Sequence, residues 1–494
     1  MSHCRPHQVP SRRHFDAIVV GAGSGGLTAA VGLGRFGRQV LLVEREHMGG
    51  DCTNTGCIPS KTLLHLSRQR PTAEAVTGDG SAVLKQVRHR RDQLREHELE
   101  EFSGAEGVTF VYGRARLNAA DTVAITSGDG STWTARADDI ILATGSSPRR
   151  LPITGLPDDR YLTNLELFEL AEPPRHLAVV GGGAVGLEMA LAFRRLGAAV
   201  TVIEAEDSIL PTTLPQVGTM LTEVLVQSGI EVRTGHRAAG YEPSSETLKL
   251  QCSRGSHSPG HPSLPSLPGI AGVDKVLVAV GRVPNTTGLG LEEIGVGTDE
   301  AGRVVVDERG RTSVPHLWAV GDMTTEGGTT HYASMWGRRV IQSIVYPRLP
   351  IGAEPLRPAV VFTEPEVATI GQQSRSTPPD VVRITVDGSE IDRTYTDEVG
   401  RSMLIVDVRP PTGEVIGATA VSPRAGELIS TFSLAMKSGI AFHRWYGTVI
   451  PYPTYAEMIT VAVEKYLREL SGDVVGHTGR FLAGLGSRWW SRLS

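Results

Sequence analysis

Long apolar runs, lysines and cysteines are scarce in this 494-residue sequence. No stretch reaches the roughly 18 consecutive apolar residues of a membrane-spanning helix, so we expect no such helix. The first 13 residues lack the apolar core of a secretory signal, which predicts a cytoplasmic protein. The net charge of −5 gives no overall attraction to nucleic acid or to a membrane surface, so neither is expected as a partner. Only six of the 49 basic side chains are lysines, as a GC-rich coding bias would produce.

The remaining composition is that of an ordinary globular protein. Apolar residues make up 40% of the chain and charged residues 21%. A chain of this length should form two to four domains with large buried cores.

Two of the four cysteines, Cys52 and Cys57, lie five residues apart in the segment GGDCTNTGCIPSK, which begins at Gly49. A regular helix would hold them too far apart for a disulfide, whose Cα atoms lie about 4.4–6.8 Å apart. Cys52 is therefore predicted in a bent or pre-helical turn, with Gly56 supplying the freedom and Pro59 suiting the first position of the next helix. Cys57 would lie near the N-terminus of that helix, which favours the thiolate that attacks disulfides and binds soft metals. The spacing predicts a redox-active pair.

Two other interpretations of this pair stay open. It could be a structural disulfide, although nothing else in the sequence indicates an oxidising compartment. It could be half of a zinc site, although no second Cys/His pair stands at ligand spacing. The other cysteines, Cys4 and Cys252, stand in a polar N-terminal stretch and after a strand-like run, and no role is predicted for them.

A glycine-rich turn precedes the cysteine segment. The apolar run 15–20 leads into Gly21, Gly23 and Gly26 in the pattern G-x-G-x-x-G, followed by a helical pattern over 27–36. A second strand over 39–43 ends at Glu44. Such glycines let the backbone approach a pyrophosphate at a helix N-terminus, and the acid accepts a hydrogen bond from a ribose hydroxyl. This combination predicts a dinucleotide-binding unit.

The same unit returns later in the chain. The run 177–180 leads into Gly181, Gly183 and Gly186, and the strand 199–203 ends at Glu204. Each acid follows the first glycine of its turn by 23 residues. The repeat predicts two Rossmann units in one chain. Because Glu204 would repel a 2′-phosphate and accept from a 2′-hydroxyl, NADH is favoured over NADPH.

Other segments complete an α/β organisation. A polar helical stretch over 59–102 precedes short strands at 109–117, 122–126, 132–137 and 139–142, the last ending at Thr144 and Gly145. Further buried strands at 275–280 and 317–320 end near Gly281 and Asp322. From about residue 352, strands at 358–362, 381–386, 403–408 and 414–420 precede helices at 426–439 and 455–470, which predicts an α+β domain. The tail 480–493 mixes Trp and Arg and could lie on a membrane or a partner, but such tails are more often loose ends or packed helices.

Together these motifs resemble, in kind and order, those of the class I pyridine nucleotide-disulfide oxidoreductases, which include glutathione reductase, dihydrolipoamide dehydrogenase and mercuric reductase. The motifs are the two glycine turns, the cysteine segment, Ala143-Thr144-Gly145, Gly281-Arg282-x-Pro284-Asn285 and Gly321-Asp322. The resemblance spans about residues 14–470. It implies an FAD domain in two parts (14–151 and 282–351), an inserted NAD(P)H domain (152–281) and a C-terminal domain (352–494) that forms a homodimer.

The resemblance also implies roles for individual residues. Cys52 would be the interchange thiol and Cys57 the flavin-side thiol. Lys61 would lie near the flavin N5 and pair with Glu188. Hydride would enter the flavin from NADH, and electrons would leave through the two thiols to a small-molecule or metal-ion acceptor on the opposite face. The residues expected to contact the two nucleotides are Gly21, Gly23, Gly26, Glu44, Gly50, Lys61, Thr144, Gly145, Gly181, Gly183, Gly186, Glu204, Gly281, Arg282 and Asp322.

The sequence departs from disulfide reductases at one position. Their C-terminal motif is His-Pro-Thr-x-x-Glu, with the partner subunit's His as acid–base, whereas this chain has Tyr452 followed by Pro, Thr and, five residues on, Glu457. A tyrosine, with a reference pKa of about 10, transfers protons poorly near neutrality. A thiolate pair binds a soft metal without such a base, and a Pro-Tyr-x-Thr segment here is similar to mercuric reductases. Tyr452 and Glu457 are therefore candidate catalytic residues.

Three functions follow as hypotheses. The first is a mercuric reductase-like enzyme in which Cys52 and Cys57 bind substrate Hg(II) transiently. It would lack the C-terminal Cys-Cys pair and the N-terminal metal-binding domain typical of mercuric reductases. The second is a dihydrolipoamide dehydrogenase or related disulfide reductase. The third is a non-enzymatic redox-sensing flavoprotein that docks through its Arg/Trp tail.

Overall fold

The computed structural model describes residues 9–69, 80–252, 268–354 and 356–477, which divide into two compact units. The first unit comprises the described residues up to 205 together with 228–354. The second comprises 206–227 and the described residues from 356 onward. The Arg/Trp tail, Cys4 and most of the Ser/Pro/Gly-rich segment after Cys252 lie outside the described residues.

The elements are numbered along the chain. The strands are β1 His14–Val20, β2 Val40–Glu44, β3 Val108–Tyr112, β4 Arg114–Ala119, β5 Thr122–Thr126, β6 Thr132–Leu142, β7 Ser146–Pro148, β8 Tyr161–Leu162, β9 His176–Val180, β10 Ala199–Ile203, β11 Glu231–Arg233, β12 His236–Glu242, β13 Thr247–Cys252, β14 Lys275–Val278, β15 Arg282–Pro284, β16 Leu317–Ala319, β17 Ala359–Val361, β18 Glu366–Gly371, β19 Val382–Asp387, β20 Met403–Arg409 and β21 Glu414–Ser422. The α-helices are α1 Ser24–Arg35, α2 Gly50–Asn54, α3 Cys57–Arg68, α4 Gly80–Ser103, α5 Asn164–Leu167, α6 Ala184–Arg195, α7 Pro215–Gln227, α8 Thr330–Val345, α9 Asp392–Thr396, α10 Ala425–Lys437 and α11 Glu457–His477.

Two sheets organise the first unit. In the first, the strand order is β3-β2-β1-β6-β5-β4, and β16 joins in parallel beside β6. Strands β1, β2, β3 and β6 pair in parallel, and the apolar residues of β2, of the end of β1 and of the end of β6 are buried as short continuous runs, as in a sheet covered on both faces. The second sheet, β11-β10-β9-β14-β8, is entirely parallel. The glycine turns therefore follow β1 and β9 at the carboxyl ends of parallel strands, although β4 and β5 extend the first sheet in antiparallel fashion.

The second unit has a different architecture. Its sheet, β17-β18-β21-β20-β19, is antiparallel throughout. Apolar residues of α10 and α11, among them Phe432 and Tyr466, share one buried core with Leu404 and Val406 of β20. The predicted α/β fold class, with two Rossmann-type units and a C-terminal α+β domain, is confirmed. The predicted boundaries at 151/152, 281/282 and 351/352 stay predictions.

Three segments differ from the sequence-based prediction. The strand expected at 109–117 is two strands, β3 and β4, separated at Gly113. The strands expected at 132–137 and 139–142 are one continuous strand, because the parallel pairing with β1 continues from Arg136 to Leu142. The stretch 59–102 contains two helices, α3 and α4, with residues 70–79 outside the described ranges. Among the helices of the described residues, none combines the length and apolar character needed to cross a membrane.

A buried ion pair in the second unit generates a stability prediction. Asp407 has a side chain only 1% exposed and accepts two hydrogen bonds from Arg383, at 2.7 and 2.6 Å. Removing one member of such a pair leaves the other charge poorly solvated. We expect Asp407→Asn to lower the free energy of unfolding by about 3 kcal/mol, measured by urea unfolding at fixed protein concentration.

The matched control is Asp380→Asn. Asp380 pairs with Arg409 at 3.3 Å on the surface, with both side chains largely exposed. Such pairs contribute about 0–1 kcal/mol to the free energy of unfolding, so the free energy of unfolding of this variant should be close to that of the wild type. Equal losses in the two variants would contradict the assignment of the buried pair.

Candidate functional site

The first glycine turn brings backbone groups unusually close together. Gly21 has φ +105°, and a Cβ there would lie 2.4 Å from the carbonyl oxygen of Ala143. A Cβ on Gly26 would lie 1.9 Å from the carbonyl oxygen of Gly21. Only glycine fits these positions, and the resulting turn leads from β1 into α1, whose N-cap is Gly23. The carboxylate of Glu44 accepts a 2.8 Å hydrogen bond from Ala22 N and so holds the turn beside the end of β2.

The second turn repeats this geometry. Gly181 has φ +114°, and its missing Cβ would lie 2.4 Å from the carbonyl oxygen of Ala279. A Cβ on Gly186 would lie 2.0 Å from the carbonyl oxygen of Gly181. Glu204 is buried and accepts a 2.7 Å hydrogen bond from Gly182 N. The 23-residue repeat in the sequence thus corresponds to the same turn built twice, with Gly183 as the N-cap of α6.

The first turn opens into a cleft of about 660 Å³. The predicted site residues that line it are Gly21, Gly23, Glu44, Gly50, Cys52, Cys57, Thr144, Gly145, Arg282 and Asp322. Gly26, Lys61 and Gly281 lie outside its lining. Gly50 approaches the turn so closely that a Cβ there would lie 2.7 Å from the Gly23 Cα. The cleft therefore extends from an acid at one strand end, past a helix N-terminus, to the cysteine pair.

The cysteine segment is bent as predicted. Cys52 lies in the single-turn helix α2, Thr55 and Gly56 interrupt the backbone, and Cys57 begins α3. A Cβ on Gly56 would lie 2.8 Å from the carbonyl oxygen of Asp51, so the break requires glycine. The helix begins two residues earlier than predicted, and Pro59 occupies its first turn, where its missing N–H removes no helical hydrogen bond. Both cysteines are free thiols in this structure.

The surroundings of the two thiols differ in their effect on acidity. The hydrogen bond from Cys52 lowers the pKa of Cys57, with further lowering from Thr330 and the charge of Lys61, and the pKa falls to about 6 despite partial burial. The same hydrogen bond, together with burial, raises the pKa of Cys52. Thr330 Oγ1 lies 3.4 Å from Cys57 Sγ. Cys57 is therefore the thiolate of the pair near neutral pH, and Cys52 the thiol.

Lys61 and Glu188 connect the cysteine segment to the helix that follows the second glycine turn. Lys61 extends from α3, one turn after Cys57, and its Nζ lies 2.8 Å from Glu188 Oε2 on α6. The Glu188 side chain is only 5% exposed. The structure thus brings together two residues that stand 127 positions apart and were expected to pair.

Arg282 is the centre of a charged network beside the cysteine segment. Arg282 donates to Ser146 through Nε (2.7 Å, to Oγ) and Nη2 (2.8 Å, to the carbonyl oxygen). Its Nη2 also lies 3.3 Å from Asp51 Oδ2, and its Nε lies 3.8 Å from Asp322 Oδ2. Asp322 accepts from Ser146 Oγ at 3.0 Å and from Gly328 N at 3.1 Å. Arg282 therefore lies between two carboxylates of the cleft.

Three further predicted residues occupy connecting turns. Thr144 donates through Oγ1 to the carbonyl oxygen of Asn285 at 2.7 Å. Gly145 and Gly281 have φ of +64° and +106°, and the Gly281 carbonyl accepts from Arg149 N. These contacts hold the turn after β6 against the segment that contains β15.

Tyr452 and Glu457 lie in the second unit. Tyr452 is 69% exposed, and its hydroxyl donates to Asp392 Oδ2 at 2.7 Å. That hydrogen bond and the charge of Asp392 raise the pKa of Tyr452. Partial burial, with the charge of Asp392, raises the pKa of Glu457. The structure therefore places the two residues around one carboxylate of α9.

Sequence reasoning missed Asp51 and Thr330 as contributors to the site. Asp51 stands within the cysteine segment, but its partner Arg282 is 231 residues away. Thr330 is 273 residues from Cys57. No local pattern connects these positions, because the pairings depend on β15 returning to pair with β7 and on α8 packing against α1. Within the part of the chain that the structure describes, no group of three or more His, Cys, Asp or Glu side chains could hold a resident metal ion.

Comparisons with known proteins agree with this architecture. A family model described as pyridine nucleotide-disulphide oxidoreductase matches residues 15–337, and the model of its dimerisation domain matches residues 357–463. Mercuric reductase of Shigella flexneri is 32% identical over 92% of this chain and 81% of its own length. Dihydrolipoyl dehydrogenase 3 of Pseudomonas putida is 30% identical over 91% of this chain and 97% of its own length.

Solved structures are similar in fold. The Cu(II) complex of the HOCl-induced flavoprotein disulfide reductase RclA from Escherichia coli has a TM-score of 0.81 at 24% identity, covering 92% of this chain and 99% of that one. LpdA from Mycobacterium tuberculosis has a TM-score of 0.79 at 26% identity, covering 91% and 99%.

The contact between Thr330 and Cys57 generates a prediction on thiol acidity. Thr330→Val keeps the side-chain shape but removes a hydrogen bond to the thiolate, and such bonds contribute about 1.5 kcal/mol or more. The pKa of Cys57 should therefore rise by about one pH unit from about 6, so that the thiolate is lost at higher pH than in the wild type. The measurement is the pH dependence of Cys57 alkylation by iodoacetamide, read by mass spectrometry on the reduced protein.

The adjacent Thr329→Val serves as the control. Thr329 Oγ1 lies 2.9 Å from His331 Nε2, and no hydrogen bond joins it to Cys57. Its alkylation profile should match the wild type. An unchanged profile in Thr330→Val would show that the hydroxyl does not stabilise the thiolate.

Proposed function

The chain belongs to the class I pyridine nucleotide-disulfide oxidoreductase family, and on that premise we propose that it reduces thiophilic acceptors with NAD(P)H through Cys52 and Cys57, with Hg(II) as the leading acceptor. The family uses FAD and NAD(P)H. The proposal treats Hg(II) as a substrate that binds the two thiols transiently, and not as a resident metal.

The residues of the cleft fit FAD. The glycine turn leaves space for a pyrophosphate at the N-terminus of α1, and both oxygens of Glu44 accept backbone N–H bonds while keeping lone pairs for a ribose. Asp322 and Arg282 would hold the part of the cofactor between the turn and the cysteines. When bound, FAD takes a hydride from NAD(P)H and supplies two electrons to the site.

The second turn would hold the nicotinamide nucleotide. The second glycine turn repeats the geometry of the first, with Gly181, Gly183 and Gly186. Glu204 would accept a hydrogen bond from the ribose of the adenosine half. A buried carboxylate at this position repels a 2′-phosphate, which supports NADH as the preferred substrate. The Lys61–Glu188 ion pair would fix α3 and α6 between the two nucleotides.

The dithiol can bind a soft metal ion without an acid–base residue. In a cell, Hg(II) would arrive as a complex with two external thiolates. Cys57, already a thiolate near neutral pH, displaces one of them, and Cys52 displaces the second as it loses its proton to the departing thiolate. Two sulfur–mercury bonds form and two break, and two external thiols or thiolates leave.

The observation that carries this proposal is the state of Tyr452. Its hydroxyl is hydrogen-bonded to Asp392, and the pKa of the phenol is raised, so it remains protonated well above neutral pH. Such a group cannot alternate between acid and base as disulfide exchange requires. Exchange of thiolates on a metal ion has no such requirement. Mercuric reductases are also among the relatives that align with most of the chain.

A disulfide reductase of the dihydrolipoyl dehydrogenase kind is the second candidate. Glu457 favours it, because its raised pKa brings a carboxyl group closer to the range useful for proton transfer. Dihydrolipoyl dehydrogenases also align along 97% of their own length. In this case Glu457 would supply the proton that Tyr452 cannot.

The C-terminal domain is a dimerisation domain of this family, and we propose a homodimer. Exposed apolar residues in the second unit support an interface there. Leu434 is 71% exposed and Val449 94% exposed, and covering such surface by a second copy would be favourable. A cytoplasmic location stays a prediction.

An acceptor comparison tests the proposed function. We expect the purified flavoprotein to oxidise NADH rapidly with Hg(II) under excess thiol, and at least tenfold more slowly with lipoamide or glutathione disulfide. Cys52→Ser should abolish the Hg(II)-dependent rate, because one thiol cannot complete the exchange. The measurement is NADH absorbance with each acceptor separately.

The control for this substitution is Cys252→Ser, which changes a cysteine outside the motif and should leave every rate unchanged. Faster turnover of lipoamide than of Hg(II) by the wild type would reject the metal proposal and favour the disulfide reductase. Retention of Hg(II) turnover by Cys52→Ser would show that the dithiol does not carry the Hg(II) reaction and would reject the metal proposal.

The position of Glu204 generates a prediction on nucleotide preference. Glu204→Gln keeps an acceptor for Gly182 N but removes the charge that repels a 2′-phosphate. We expect kcat/KM for NADPH to rise roughly tenfold, about 1.4 kcal/mol, with FAD content unchanged. Steady-state kinetics with both nucleotides measure this. An unaltered NADPH/NADH ratio would show that Glu204 does not face the ribose.

A further inference from the structure

Asp51 is the side chain immediately before Cys52, and it is fixed from three directions. Its Oδ1 accepts from Thr55 Oγ1 at 2.6 Å and from Asn164 Nδ2 at 3.1 Å. Its Oδ2 lies 3.3 Å from Arg282 Nη2. Its carbonyl oxygen accepts from Thr55 N and packs against Gly56 where a Cβ would collide. The carboxylate is therefore held in one place within the turn that joins the two cysteines.

Asp51 lines the same cleft as Cys52 and Cys57, where charge changes during the dithiol reaction. Reduction of the disulfide consumes two electrons and one proton and yields a Cys52 thiol and a Cys57 thiolate. One negative charge thus develops beside Asp51. The hydrogen bond from Cys52, Thr330 and the charge of Lys61 lower the pKa of Cys57. The charge of Asp51 acts in the opposite direction and raises the pKa of both cysteines, although it is the smallest of these effects.

Arg282 determines how strongly this carboxylate acts. Its guanidinium is shared among Asp51, Asp322 and both oxygens of Ser146, so it neutralises Asp51 only in part. Asp51 and Arg282 are each about one-third exposed, which weakens the interaction by solvent screening but does not remove it. A partial negative charge therefore remains next to the dithiol.

We propose that Asp51 is a positioning and tuning residue that makes the Cys52–Cys57 pair a stronger reductant by disfavouring the charge of its reduced form. The inference rests on the proposed dithiol function and deepens it. A pair tuned in this direction releases electrons more readily, which suits an acceptor of low reduction potential. The carboxylate acts through the sulfur atoms and takes no part in bond formation.

The test is the thiol–disulfide equilibrium of the holoenzyme in dithiothreitol buffers of defined redox ratio, with free Cys52 and Cys57 counted by alkylation and mass spectrometry. Asp51→Asn keeps the shape and loses the charge. The equilibrium constant should shift about tenfold toward the reduced dithiol, which is about 30 mV for this two-electron couple. Asp51→Ser, small and neutral, should shift it in the same direction and carries the test if the Asn variant does not fold.

The matched control is Thr55→Val, which removes a hydrogen bond to Asp51 while keeping its charge. Its equilibrium constant should stay within about twofold of the wild type. No shift in the neutral variants, or an equal shift in Thr55→Val, would overturn the inference, because loop shape and not charge would then govern the equilibrium. If the wild-type pair could not be cycled between dithiol and disulfide at all, the proposed function itself would fail.

Discussion

The absence of a side chain at Gly26 and Gly186 is the constraint on which the rest of the structure depends. Each glycine lies so close to the carbonyl of the first glycine in its turn that any Cβ would collide. This contact holds a helix N-terminus directly against the end of a parallel strand, where an anion can be bound. It also fixes the directions of α1 and α6. Because α6 carries Glu188 toward Lys61, the position of the cysteine segment follows from two turns that hold no cysteine.

Charges around the dithiol come in pairs that connect distant segments. Lys61 meets Glu188 on one side of the cysteine segment, and Asp51 meets Arg282 on the other. Asp51 and Arg282 are each about one-third exposed, so their pair contributes little to the free energy of folding, whereas Glu188 is buried against a partly exposed Lys61. The consequence of both pairs is local, because each fixes one charge at a definite position near two sulfur atoms. The acidity of Cys57 therefore reflects the hydrogen bonds from Cys52 and Thr330 first, and the placement of these charges second.

Local patterns in the sequence predicted most of what lies on one strand or one turn. The glycine turns, the acid that ends each second strand and the bend at the cysteines all depend on neighbouring residues, and periodicity or glycine spacing reveals them. The Lys61–Glu188 pair came from family resemblance and not from spacing. Thr330 was missed because its contact with Cys57 requires α8 to return beside the first sheet after more than 270 residues. Contacts of that range depend on topology, which single-residue patterns do not encode.

Asp392 affects the acidity of both Tyr452 and Glu457. Asp392 accepts a hydrogen bond from the hydroxyl of Tyr452 and raises the pKa of the phenol. The phenol therefore stays protonated near neutral pH and does not act as a base. Partial burial and the same negative charge raise the pKa of Glu457, so that this carboxyl group keeps its proton to a higher pH than an ordinary glutamate. Asp392 thus opposes proton transfer by Tyr452 and favours proton transfer by Glu457. A metal acceptor would require neither effect, whereas a disulfide acceptor would require the second, so the ionisation of Glu457 separates the two chemistries.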